Sequence, residues 1–159
     1  MKTRIVTVSL FRVVLFVGLA VLLSPATVRA SDAEKSVAII ANDSLRFDVT
    51  KITASPGQAL HVQLTNQGTL PKAVMGHNWI LLDGGIEASA YAMAAASAAA
   101  EHYQPKALGT HVLASIPLLG PKENGDVTFN APSKPGTYTF LCSFPGHFQA
   151  GMRGVLIVK

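Results

Sequence analysis

The sequence is nearly free of cysteine. Cys142 is the only one among 159 residues, so the chain cannot close an internal disulfide. A lone cysteine is most often an inert, buried, small apolar residue. In an exported protein it can also be a reactive thiol or a metal ligand, and the residues around it decide among these possibilities.

The chain also lacks an apolar run long enough to cross a membrane. Residues 13–23 are apolar and follow the positive charges of Lys2, Arg4 and Arg12. This run is shorter than the roughly 20 residues that a spanning helix needs. Val28-Arg29-Ala30 resembles a small-residue cleavage site, so we expect residues 1–30 to be a secretory signal peptide, cleaved near Ala30, and the protein to be periplasmic.

The chain has no net charge once residues 1–30 are removed. Four of the 13 Lys and Arg residues lie in residues 1–30 and all nine Asp and Glu residues lie beyond it, so 9 minus 9 leaves no net charge. A basic surface for nucleic acid is therefore not expected. The remaining 129 residues (159 minus 30) suit one domain, residues 31–159.

Alternating apolar and polar residues dominate this domain and predict short β-strands with one buried face. Eight strands are expected, at residues 37–40, 45–52, 60–64, 74–82, 110–116, 126–130, 137–142 and 154–158. We expect the first three to pair as antiparallel neighbours. The fold class predicted is all-β, a Greek-key β-sandwich.

One segment breaks the strand pattern. Residues 88–101 are mostly alanine, which has the highest helix propensity. The segment follows Asp83-Gly84-Gly85 and ends near Gln104-Pro105, where proline stops a helix. We expect a single helical flap inserted between two strands.

The candidate functional residues lie mainly on one loop. Cys142, His147 and Met152 occupy residues 142–152, and His77 lies upstream in Met75-Gly76-His77-Asn78-Trp79. One thiolate, two imidazoles and a weak thioether form the donor set of a blue-copper electron-transfer site. A Cys142–His147 thiol nucleophile is the enzymatic alternative, but the Pro145-Gly146 turn and the nearby Met152 favour metal binding.

These motifs resemble those of the azurins and auracyanins, small blue (type 1) copper proteins of the cupredoxin family. The resemblance covers residues 70–79, the alanine-rich flap, residues 127–129 and the loop 142–152. It implies a cupredoxin fold and one copper ion with equatorial ligands His77, Cys142 and His147. It also implies an axial Met152 and a weak contact from the Gly76 carbonyl.

The resemblance further assigns roles beside the ligands. Asn78 is expected to hydrogen-bond to the ligand loop, and the backbone N–H near Phe144 to the Cys142 sulfur, which raises the reduction potential. The spacing from His147 to Met152 is one residue longer than in azurin and is similar to that of auracyanins. The disulfide of azurin is absent.

An apolar patch is expected around the exposed edge of His147. It would consist of Met75, Pro145, Gly146 and Phe148, and such a patch marks a docking site for another macromolecule. The predicted function is one-electron transfer by Cu(I)/Cu(II) cycling, without enzymatic activity, in a monomer. Redox partners such as c-type cytochromes or a copper or haem reductase or oxidase are expected, and a copper-delivery protein is the alternative function.

Overall fold

The structure, a computed structural model, describes residues 33–159. The predicted signal peptide, residues 1–30, lies outside the described residues. Eight β-strands form two sheets. Their bounds are β1 Lys35–Ala41, β2 Lys51–Ala54, β3 Ala59–Asn66, β4 His77–Leu82, β5 Val112–Leu119, β6 Asn124–Asn130, β7 Gly136–Leu141 and β8 Arg153–Val158.

The two sheets pack as a sandwich. The smaller sheet has the strand order β1-β3-β6, and the larger has the order β2-β8-β7-β4-β5. Most connections pass from one sheet to the other, so neighbours in sequence are rarely neighbours in a sheet. The predicted all-β sandwich with a helical insertion is confirmed.

The expected antiparallel pairing of the first three strands is wrong. β1 pairs with β3 in parallel, and β2 belongs to the other sheet, where it runs parallel to β8. Alternation reports which face of a strand is buried and does not identify its neighbour. β2 is also shorter than predicted, because residues 42–50 form an irregular connection with Leu45 at φ 58° and only one isolated bridge, Ala41 to Phe47.

The segment between β4 and β5 contains three short helices. Helix α2 spans Ala88–Ala96, and a 3-10 helix spans Ala99–Glu101, with a second 3-10 helix at Lys106–His111. Tyr91 and Ala95 are buried, while Met93 is 68% exposed, so α2 covers the larger sheet with one face. No helix within residues 33–159 has both the length and the apolar character to span a membrane.

The core between the sheets is tightly filled. β4 is buried at every position and carries Trp79, which is fully buried and packs its ring 5.4 Å from that of Phe140. β4 lies between β5 and β7 in the larger sheet. This central strand begins at His77, so the backbone of this candidate ligand is held in place by the packed core.

Candidate metal centre

Two neighbouring strands deliver the candidate ligands to one end of the sandwich. β4 and β7 are antiparallel, with Ile80 opposite Leu141. The start of β4 therefore lies beside the end of β7, which places His77 near the residues that follow Leu141. Cys142 is the first of these, and the connection to β8 then carries His147 and Met152.

The connection from Cys142 to Met152 contains a short helix, α3, at His147–Ala150, which was not predicted. Gly146 at φ 83° precedes the helix and Gly151 at φ 100° follows it, and both values favour glycine. The Met152 N–H donates to the His147 carbonyl at 2.9 Å, and the Cys142 N–H donates to the Met152 carbonyl at 3.0 Å. These bonds bring the two ends of the loop together.

The structure brings three of the predicted donors into one cluster. Potential ligand atoms of His77, Cys142 and His147 all lie within 4.8 Å of one another. Cys142 Sγ is 3.4 Å from His147 Nδ1, and the two imidazole ring centroids are 4.9 Å apart. Met152, on the same loop, is fully buried. Among the described residues this is the one cluster of three or more His, Cys, Asp or Glu side chains with such spacing.

Burial favours the neutral form of both imidazoles. Both ring nitrogens of His77 are buried without a hydrogen-bond partner. Burial lowers the pKa of His77, while the charge of Asp43 and the backbone of Asn42 act in the opposite direction. Burial and the neighbouring His77 lower the pKa of His147 to about 4. Two buried nitrogens without partners are costly, and a bound metal ion would satisfy one of them.

The Cys142 thiol is fully buried, which favours its protonated form. Desolvation raises the pKa of Cys142 to about 12, although the backbone N–H groups of Asn78 and Phe144 lower it. The Asn78 N–H lies 3.5 Å from Cys142 Sγ. A fully buried thiol with this pKa is a poor nucleophile at neutral pH, which disfavours the thiol-enzyme alternative.

A hydrogen-bond chain joins the ligand strands to the flap. The Asn78 side-chain amide donates to Ser143 Oγ at 2.8 Å, and its carbonyl oxygen accepts from the Ser143 N–H at 2.8 Å. Ser143 Oγ donates in turn to the Tyr103 carbonyl at 2.5 Å. The Tyr103 ring meets that of Phe144 edge-on at 4.9 Å, and Phe144 lies 4.7 Å from the His147 ring.

Gly76 lies where there is no room for a side chain. A Cβ at this position would lie 2.7 Å from the Lys72 carbonyl and 2.9 Å from Leu118. Lys72 belongs to the single-turn helix α1, Lys72–Met75, where a strand was predicted from residue 74. The close approach fixes the backbone of Gly76 immediately before His77.

The predicted docking patch is only partly at the surface. Pro145 and Gly146 are exposed and Met75 is half-buried. The expectation for Phe148 is wrong: it is 7% exposed, packs in the cluster of Ile80, Tyr91 and Leu141 beneath α2, and has Arg153 over its ring. Its position in α3 turns it inward.

Several residues around the centre were missed by the sequence analysis. Val74 and Leu70 are 61% and 41% exposed on the segment before His77, and add apolar surface there. Ser143 lies on the ligand loop itself, and the Tyr103 carbonyl accepts a hydrogen bond from it. None of these residues belongs to a recognisable donor motif, so sequence spacing gives no signal for them.

Comparisons with known proteins agree with this geometry. A sequence model of the family described as copper binding proteins, plastocyanin/azurin family, matches residues 33–159. Azurin of Pseudomonas denitrificans is 38% identical over 130 residues, which cover 80% of this chain and 100% of that protein. Auracyanin-B of Chloroflexus aurantiacus is 36% identical over 119 residues, 74% of this chain, and the chain spans only 49% of that relative's length.

A solved structure shows the same fold. Auracyanin A from Chloroflexus aurantiacus, described as a blue copper protein, aligns with a TM-score of 0.70 and 35% sequence identity. The alignment covers 80% of this chain and 100% of that one.

Proposed function

The chain belongs to the plastocyanin/azurin family of copper-binding proteins, and we propose that it carries single electrons between redox proteins in the periplasm. Membership of this family makes it a blue-copper electron-transfer protein rather than an enzyme. His77, Cys142, His147 and Met152 would hold one copper ion, which when bound would supply the redox chemistry through its Cu(I) and Cu(II) states.

The observation that carries the proposal is the buried cluster of His77, Cys142 and His147, with ligand atoms within 4.8 Å of one another. We assign these three residues as the equatorial ligands and the fully buried Met152 as the axial ligand. The Gly76 carbonyl is assigned a weak contact from the other side. Sulfur and imidazole donors together suit both oxidation states of copper.

Burial favours an electron carrier over a copper-delivery protein. His77, Cys142 and Met152 are fully buried, and His147 is 3% exposed. An ion held there would leave only after the loop opened, whereas a delivery site needs ready exchange. The rigid surroundings also suit electron transfer, because ligands on a packed strand and a hydrogen-bonded loop move little between two oxidation states.

Hydrogen bonds to the sulfur are proposed to set the reduction potential. The N–H of Asn78 reaches Cys142 Sγ at 3.5 Å, and the backbone N–H of Phe144 acts on the thiol in the same sense. Such donors withdraw charge from a thiolate and favour the reduced ion. The buried apolar surroundings act in the same direction because they disfavour net charge.

Electrons are proposed to leave through His147. Its ring is nearly buried, yet Pro145 and Gly146 beside it are exposed, and Met75 is half-buried. We define the docking patch as Met75, Pro145 and Gly146. An apolar surface at a buried redox centre suits brief contact with a partner protein, and we propose c-type cytochromes or a copper or haem reductase or oxidase as partners of a monomer.

Export is part of the proposal. Residues 1–30 have the charge, apolar run and cleavage site of a secretory signal peptide, and the mature domain would be residues 31–159. Mass measurement of the protein recovered from the periplasm tests cleavage near Ala30. An uncleaved protein retained in the cytoplasm would contradict it.

The central experiment is spectroscopic. Purified protein loaded with Cu(II) is expected to show an intense thiolate-to-copper absorption and the electron paramagnetic resonance spectrum of a type 1 site. Cys142→Ser and His77→Ala should abolish this band while the protein stays folded. His61→Ala is the matched control, because His61 pairs with Asp126 on the other sheet. An intense band in Cys142→Ser would contradict the assignment, and rapid loss of copper to a weak chelator would favour delivery.

A further inference from the structure

We propose that Arg46 is a positioning residue for Met152. Arg46 would hold the loop after α3 in place and would thereby fix the position of the Met152 thioether. The inference rests on the proposed function, because it concerns the axial position of the copper site. Arg46 itself does not contact the cluster of donors.

The contacts of Arg46 carry the inference. Its guanidinium Nη1 donates to the Ala150 carbonyl and also to the Leu45 carbonyl, the latter at 3.0 Å. The guanidinium also lies against Gly151: a Cβ there would be 3.2 Å from Nη1 and 3.3 Å from Cζ. Arg46 therefore contacts the last residue of α3, Ala150, and the one residue that separates α3 from Met152, Gly151.

The segment that carries Arg46 is itself anchored. The Asp48 N–H donates to the Ile40 carbonyl at 3.1 Å, and the Ile40 N–H donates to Asp48 Oδ1 at 2.6 Å. Phe47 forms a bridge with Ala41 and is 3% exposed. The guanidinium thus extends from a fixed backbone, about a hundred residues away in sequence, onto the ligand loop.

Backbone hydrogen bonds from Gly151 to Phe148 and from Met152 to His147 also restrain the loop at this point, and Arg46 adds a side-chain bond to the Ala150 carbonyl. Helix α3 is a single turn whose last carbonyls have no continuing helix, and Gly151 at φ 100° turns the chain toward Met152. A cation at the carboxyl end of a helix binds such carbonyls favourably. Four residues separate His147 from Met152, and Arg46 lies on the last two of them.

The proposal can be separated from a simple charge effect by the sign of the shift in potential. Loss of a positive charge near copper favours Cu(II) and lowers the potential. Release of Met152 weakens the axial sulfur, which favours Cu(I) and raises the potential. Arg46→Ala combines both effects, whereas in a Met152→Leu background only the charge effect is left.

The experiment is a double-mutant cycle measured by voltammetry. The shift in potential caused by Arg46→Ala is measured in two backgrounds, the unmodified protein and Met152→Leu. We expect this shift to be more positive in the unmodified protein than in Met152→Leu. Lys72→Gln is the control for charge, since Lys72 lies on α1 and pairs with the exposed Glu123. Its shift should be the same in both backgrounds. An equal shift for Arg46→Ala in both backgrounds would overturn the proposal.

A second measurement needs no metal. In the copper-free protein, Arg46→Ala should speed amide hydrogen exchange at Gly151 and Met152, whose N–H groups bond to Phe148 and His147. Exchange at Val155, bonded to Thr50, should be unchanged and reports that the fold is intact. Unchanged exchange at Gly151 and Met152 would overturn the proposal that Arg46 positions this part of the loop. If the unmodified protein forms no blue centre, the proposed function fails instead, and that result is distinct.

Discussion

Asn78 and Ser143 are joined by two buried hydrogen bonds that run in opposite directions, each 2.8 Å long. Asn78 follows His77 on β4, and Ser143 follows Cys142 after β7. The pair therefore connects the two backbone segments that carry the imidazole and the thiol. It holds the backbone of both segments in place, although neither Asn78 nor Ser143 is one of the proposed ligands.

Replacing Asn78 with Ala should destabilise the copper-free protein by about 1–3 kcal/mol, because the Ser143 N–H is left buried without a partner. Chemical denaturation measures this change. Asn130→Ala is a suitable control, since Asn130 is exposed at the end of β6, and should change stability by less than about 0.5 kcal/mol. A stability equal to that of the unmodified protein would show that the pair is not needed for the fold.

Copper uptake should release one proton at pH 7. The thiol of Cys142 has a pKa of about 12 and must lose its proton to bind the metal, whereas His147 with a pKa of about 4 and His77 with a lowered pKa are already neutral. Calorimetry of Cu(II) binding in buffers of different ionisation enthalpy counts the protons.

The same reasoning fixes a pH dependence. One released proton makes the apparent affinity for Cu(II) rise about tenfold per pH unit between pH 6 and 8. Competition with a chelator of known affinity measures the slope. Cys142→Ser lacks this proton, so its apparent affinity for Cu(II) should not show this rise with pH. An affinity independent of pH in the unmodified protein would contradict a protonated Cys142 thiol before copper binds.

The sequence predicts the metal ligands better than it predicts the residues around them. Cys142, His147 and Met152 lie on one loop, and His77 lies within a predicted strand, so their donor atoms identify them from the sequence. Phe148 was misplaced because spacing along a loop does not reveal α3, which turns that ring under the flap.

Contacts between distant segments are the part that local patterns miss. Nothing near Tyr103 in the sequence indicates that its carbonyl accepts from Ser143, 40 residues away. The parallel pairing of β1 with β3 was missed for the same reason. Alternation defines a buried face, while the neighbour is selected by packing of the whole sandwich.

The axial residue should tune the potential. Met152→Leu is expected to keep the blue absorption and raise the reduction potential, since removing a weak axial donor favours Cu(I). Met152→Gln should lower it, because an amide oxygen favours Cu(II). Voltammetry of the two variants decides the point, with Met93→Leu as the control, as Met93 is 68% exposed on the flap. Unchanged potentials in both Met152 variants would remove Met152 from the axial position.

Docking can be tested with a single charge in the patch. Met75→Lys would place a hydrated ammonium group in the proposed docking patch, which also contains the exposed Pro145 and Gly146 and where two proteins would have to meet for an electron to pass through His147. Removing water from that charge on contact is costly, and two copies of the variant would also repel each other. Self-exchange between the reduced and oxidised forms should therefore slow by at least about tenfold, which corresponds to 1.4 kcal/mol at the encounter.

Line broadening in nuclear magnetic resonance spectra of mixed oxidation states measures this rate. The absorption spectrum should be unchanged, because Met75 is not one of the proposed copper ligands. Met93→Lys is the matched control: it makes the same substitution at an exposed methionine on the outer face of α2, and its rate should stay close to that of the unmodified protein. If Met75→Lys exchanges as fast as Met93→Lys, electrons leave through another face, and the docking patch of Met75, Pro145 and Gly146 is wrong.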